Sequence, residues 1–241
     1  MVIVMTGLAT SVVSNAQPVT PTMTHEYFIQ QADDEDLLIT ISAFEAEFES
    51  RVTGASGEEL QRSGIKGSRI APVFQYIQAP RSRRQIDIEV TSSLHTGRTE
   101  FGIELTRLKP WDSRSDSVSR AYQLLSFGTE VSSLDGQANW TVKINSLVKA
   151  GELFEQLGML EMRLWANYLA AHLVHFHLHD HSIVYNMTRQ LLADLKGTRL
   201  DKIALATLQL QSLALIGLER SGALGESSET VDSVQAALSQ A

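Results

Sequence analysis

The sequence predicts an α+β protein: a small N-terminal antiparallel β-sandwich followed by an all-α solenoid of helical hairpins. Three observations carry that reading. Between Glu26 and Leu108 apolar and polar residues tend to alternate, most strictly in Ile86-Asp87-Ile88-Glu89-Val90 and Phe101-Gly102-Ile103-Glu104-Leu105, which is the pattern of half-buried strands. Beyond Ser119 the apolar residues recur at helical spacing instead. Finally, Trp165 to Leu178 (WANYLAAHLVHFHL) carries no formally charged side chain and sets Ala166, Ala170 and Ala171 beside large residues, so as a helix it must be covered on several sides.

Taken in order, the chain opens on an apolar run, Val2 to Val13, and Ser14-Asn15-Ala16 puts small residues where a signal peptidase reads. Residues 1–16 are therefore expected to form a signal peptide, although the first basic residue is Arg51. Residues 17–25, polar and twice interrupted by proline, read as a linker. Strands are expected at 26–30, 37–43, 46–53, 73–78, 85–90 and 99–108, within a β-sandwich domain covering 26–109. Pro110 ends the last strand, and the serines and aspartates up to Ser119 form a connector or an N-cap. Helices are expected at 118–131, 140–157, 160–178, 182–195 and 199–220, forming a helical domain at 118–222, with Gly158 and Gly197 closing alternate helices. In the fourth helix Ile183, Val184, Met187, Leu191 and Leu195 share one side. Residues 226–241 read as a terminal helix, an incomplete repeat whose Val231, Val234, Ala237 and Leu238 lack a following partner.

Composition narrows the function. The 241 residues suit one or two domains, and a formal charge of −8 argues against a nucleic-acid surface. The absence of cysteine excludes disulfides, thiolate metal sites and a cysteine nucleophile. The apolar stretch from Trp165 is too short for a bilayer span and carries histidines, so no membrane span is expected in the mature chain. An exported protein, periplasmic or extracellular, is the expectation.

Few residues invite chemistry. Asp33-Asp34-Glu35-Asp36 lacks the alternate spacing of a calcium loop and reads as a solvated turn. Arg81, Arg83 and Arg84 could grip an anion but read as a basic hairpin tip guarding a sheet edge. His95 has no evident partner. Glu152, Glu155, Glu161 and Arg163 read as solvated helix faces, and no nucleophile elbow, phosphate loop or dinucleotide fingerprint is present. Asn139-Trp140-Thr141 and Asn186-Met187-Thr188 are glycosylation sequons.

Five of the seven histidines fall between 172 and 181. His175 with His179, and His177 with His181, are four apart, a spacing that on an unbroken helix would aim two imidazoles at one metal ion. A turn at His179 breaks that register, so structural or capping roles are expected, with these four residues as the alternative metal site and no cofactor expected.

Two resemblances follow from these residues. With His179-Asp180-His181 as the inter-helix turn, the hairpin from Trp165 to Leu195 resembles a tetratricopeptide repeat. Tyr168 then stands at the usual tryptophan position, Ala171 at the leucine, His172 at the glycine and His175 at the tyrosine. Val184, Thr188 and Leu191 take the small and aromatic positions of the second helix. The order of parts, with Ile86-x-Ile88-x-Val90, Thr99-x-Phe101-x-Ile103-x-Leu105 and Ala150-x3-Phe154-x2-Leu157-Gly158, resembles the N-terminal region of bacterial CHAT-domain proteins, in which such repeats precede a caspase-like peptidase module. The peptidase module itself is absent from this chain. The resemblance implies a non-enzymatic scaffold or regulatory piece with a protein or peptide partner. The alternative is a ligand-binding protein, holding a carbohydrate on the β-domain or a metal at the histidines.

Overall fold

The computed structural model describes residues 22–43, 47–64, 71–80, 83–93, 101–108, 113–130 and 137–222. The expected signal peptide (1–16), most of the linker, His95, Arg81 and the expected terminal helix (226–241) lie outside them. Seven strands come first: β1 (Thr22–Gln31), β2 (Asp36–Ala43), β3 (Glu47–Gly54), β4 (Glu59–Gly64), β5 (Val73–Ile77), β6 (Arg84–Ser93) and β7 (Phe101–Leu108). Five helices follow: α1 (Ser113–Gly128), α2 (Gln137–Gln156), α3 (Leu160–Leu173), α4 (His181–Leu195) and α5 (Asp201–Arg220), with a π-helical segment, Val174–Leu178, continuing α3. The fold is thus α+β.

The strands form two antiparallel sheets, one ordered β1-β6-β3-β4 and the other β5-β2-β7. In the first, alternation sorts the faces. Ile86, Ile88 and Val90 of β6 are buried with Ser50 and Val52 of β3, while Gln85 and Glu89 face water, as expected of a sheet with one solvated side. The second sheet is covered on both faces at β5 and the first half of β2, where every residue of β5 and the successive residues Leu37, Leu38 and Ile39 are buried, whereas β7 at its other edge leaves Glu104 and Arg107 exposed. Ser50 on β3 and Gln75 on β5, both fully buried, satisfy each other between the sheets, the Ser50 hydroxyl donating to Gln75 Oε1 at 2.9 Å and Gln75 Nε2 to the Ser50 carbonyl at 3.3 Å. A buried amide without such a partner would cost about 1–3 kcal/mol.

The missed strand is β4. With Leu60 its one large apolar residue, ELQRSG offers no alternation; the strand is held instead by pairing with β3 and by charges. Arg51 on β3 meets Glu59 at 2.8 Å, and Arg62 meets Glu59 at 3.0 Å. The turn before it closes through Gly57, whose φ of 81° suits a residue without Cβ.

Contacts divide the chain into two compact units, one ending at Ser133 and one beginning at Leu134. α1 therefore groups with the sheets, although the sequence reading placed 118–131 with the helices. It packs on β5 through buried Ala121, Tyr122 and Leu125. Its C-terminal end ties both neighbouring edges: the Thr129 hydroxyl donates to the Phe74 carbonyl, the Gly64 N–H to the Thr129 carbonyl, and Ser63 forms an antiparallel bridge with Glu130.

In the second unit the expected tetratricopeptide-like solenoid is overturned. The expected repeat centred on a hairpin from Trp165 to Leu195, but α3 packs most extensively on α2 and α4 on α5, while α3 and α4 share less. The described helices form two hairpins, α2 with α3 and α4 with α5, and the His179-Asp180-His181 turn lies at the junction between them. Side-chain size explains the pairing. At Gly151 on α2 an added Cβ would stand 2.5 Å from Asn167 Oδ1 on α3, and at Gly217 on α5 it would stand 2.4 Å from the His181 ring on α4, so in each hairpin a glycine leaves room for a side chain of the partner helix. Phe154 and Leu147 of α2, and Leu164 and Leu169 of α3, fill the first hairpin's buried side; each such burial contributes roughly 1.5–3 kcal/mol. Gly158 and Gly197 have φ of 70° and 83°, in the left-handed conformation that ends helices.

Candidate functional site

The histidine turn is built by an irregular helix end. After Leu173 the α-helix widens into the π-helical segment, and His179 then takes φ 55°, ψ 26°, the one non-glycine residue with positive φ among the described residues. Histidine tolerates that region better than a branched residue would. Asp180 starts α4 by accepting the Ile183 N–H at 3.0 Å, a cap worth about 1 kcal/mol.

This geometry re-sorts the histidines. His175 and His181 come together with ring centroids 5.2 Å apart, whereas His177 stacks on Trp140 of α2 at 3.4 Å with the planes 7° apart. Lys143 Nζ, on the next turn of α2, lies 4.7 Å from the centre of the same Trp140 ring, a cation–π contact. His172 is buried, its ring 4.4 Å from Phe176 and 6.0 Å from Tyr168. His179 is exposed. The four-apart pairs His175 with His179 and His177 with His181 are not the contacts made, and no group of three or more metal-binding side chains comes together among the described residues.

The remaining hairpin residues are core. Trp165, Tyr168, Ala171, Val184 and Leu191 are all buried, Trp165 meeting Tyr168 edge-to-face at 5.7 Å. The imidazole of His175 is held below the usual histidine range, first by burial and then by the charges of His181 and His179. The Nδ1 atoms of His175 and His181 are both buried without a hydrogen-bond partner among the described residues.

A second candidate lies in the first unit, and sequence reasoning did not anticipate it. An open cleft of about 540 Å³ runs along β4, the end of β5 and α1. Leu60, Ile77, Pro80 and Phe127 supply apolar wall, Gln61, Gln78 and Gln123 amides, and Arg84 and Glu130 one charge of each sign. Phe127 is 41% exposed. Gln61 Nε2 donates to Ser126 Oγ, while its Oε1 is buried with no partner among the described residues. Arg84 is no free tip: its Nε donates to Gln31 Oε1 at 2.9 Å and its Nη2 to the Gln78 carbonyl at 3.2 Å. The signal that could have led to the cleft is Gly54-Ala55-Ser56-Gly57 after a strand, which announces a hairpin and hence β4.

The acidic run also departs from its solvated reading. Asp33 and Asp34 form an exposed turn, but Glu35 pairs with Arg107 at 2.6 Å and Asp36 is buried.

No protein-family model matches the chain, and no curated protein matches it. No described helix is long and apolar enough to cross a membrane.

Proposed function

We propose that the protein is an exported, non-enzymatic interaction module that takes an extended segment of a partner protein in the cleft beside β4, β5 and α1. The observation carrying this reading is the composition of that cleft. It is open, half apolar and lined by amides, with an exposed Phe127. An extended peptide brings the matching groups, backbone donors and acceptors for the amides and an apolar side chain for the ring. Arg84 and Glu130 on the same rim favour a segment of mixed charge over a strongly acidic or basic one.

The test is a random peptide display library panned on the whole chain. Enrichment of a peptide motif whose binding is lost on Phe127→Asp, and kept on Phe28→Asp at an exposed site on β1, supports the reading. Failure to enrich any peptide, or binding indifferent to Phe127, overturns it. Export is checked separately by sequencing the N-terminus of the protein from its native cells, where a start at Gln17 is expected.

A further inference from the structure

We propose that the His175–His181 pair is an acid-operated latch that holds the α2–α3 hairpin to the α4–α5 hairpin when neutral and releases it when protonated. The pair sits at the junction itself. His175 belongs to the π-helical segment that ends α3, and His181 is the first residue of α4, with ring centroids 5.2 Å apart. His181 is fixed from behind by α5, since its ring fills the space that a Cβ on Gly217 would occupy. His175 is fixed by the edge of Phe176 at 4.8 Å. Neither ring can turn away without disturbing a packed neighbour.

Protonation of both rings sets like charges against each other in a partly buried place. His179, in the turn, acts on His175 in the same sense as His181. The Asp180 carboxylate, the N-cap of α4, keeps its negative charge beside His181 while accepting the Ile183 N–H. From α2 comes another cation, Lys143, at the Trp140 ring on which His177 stacks. α5 contributes uncharged Gly217 at the His181 ring. No carboxylate acts on His175 among the described residues.

The sign follows from linkage. Because the folded form of His175 takes its proton at a lower pH than the unfolded chain does, stability is greatest above the ordinary histidine range and falls as pH drops through it. Below the folded value the loss is complete.

The experiment compares the whole chain with His175→Phe, which keeps a ring beside Phe176 and removes the titration. Thermal unfolding followed by helical circular dichroism should shift downward between pH 7.5 and 5.0 by on the order of 4 °C more in the native chain than in the variant. Equal shifts overturn the proposal. In the native chain, hydrogen exchange of the amides from 174 to 184, corrected for intrinsic rates, should accelerate at pH 5.0 relative to those of α2, whereas uniform protection overturns the latch. Imidazole NMR gives the same decision should the variant fail to fold: His175 titrating below the ordinary histidine range supports the latch, and titration within or above that range sinks it.

Discussion

The hydroxyl of Tyr76, on β5, donates to the buried carboxylate of Asp36, at the start of β2. The same carboxylate accepts the Ala79 N–H at 2.6 Å and the Ser119 hydroxyl of α1 at 3.3 Å. One side chain therefore joins two strands and the helix that covers them. Tyr76→Phe removes one donor and leaves the acceptor otherwise served, so a loss of about 1 kcal/mol is expected. Asp36→Ala leaves three donors without their acceptor and should cost about 3 kcal/mol or more. Urea unfolding of both variants checks the ranking, and equal losses would contradict it.

The same contact makes a statement about alkaline pH. Burial, and then the Asp36 carboxylate, push the Tyr76 phenol up to about 12, from an ordinary value of 10.0. A proton held more tightly in the folded state stabilises it below the unfolded value, and that contribution is lost as pH rises from 10 to about 12. Phenolate absorbance should therefore show a late ionisation that Tyr76→Phe removes, and the same variant should flatten stability across that window.

Because α1 covers β5 with Ala121, Tyr122 and Leu125, a fragment of residues 17–133 is expected to stay soluble and rich in strand by circular dichroism. A fragment of residues 17–109 loses those contacts and the anchors Ser119, Ser126 and Thr129, and is expected to aggregate. Good behaviour of the shorter piece would show that α1 is dispensable to the sheets.

In the second unit, Ala171 is fully buried, so Ala171→Leu should overpack its surroundings by about 1–3 kcal/mol. Trp165→Ala, which empties a buried indole site, should cost roughly 3–5 kcal/mol. Gly151→Val tests the close approach of α2 to α3. Alanine there would gain about 1 kcal/mol of helix propensity, but valine must drive Asn167 aside, and a net loss of about 1–3 kcal/mol is expected. Chemical denaturation monitored by tryptophan fluorescence orders the three.

What the sequence made legible was local. Period-two runs with strong apolar positions located six strands, from Tyr27 to Leu105, and glycines with positive φ, Gly158 and Gly197, were readable as helix ends. β4 escaped because an edge strand held by Arg51, Glu59 and Arg62 carries almost no hydrophobic signal. Asp36 escaped because its burial depends on Tyr76 and Ser119, distant in sequence. The pairing of the helices escaped for a related reason. A small residue says that something approaches closely, but only the fold says that Gly151 faces Asn167 and Gly217 faces His181. At the histidines, spacing assumed an unbroken helix, and the π-helical segment with a left-handed His179 replaced the four-apart pairs by His175 with His181.

The bridge between Ser63 and Glu130 has a mechanical meaning. Glu130 lies three residues before the end of the first unit, so tension applied through the downstream chain enters that unit at β4, the outermost strand of its sheet. There the load falls first on the Ser63–Glu130 bridge and the Gly64-to-Thr129 hydrogen bond. Few bonds share it at that point, so pulling from the C-terminal side should give way at lower force than pulling across the long β1–β6 pairing, whose ten matched residues bear load together.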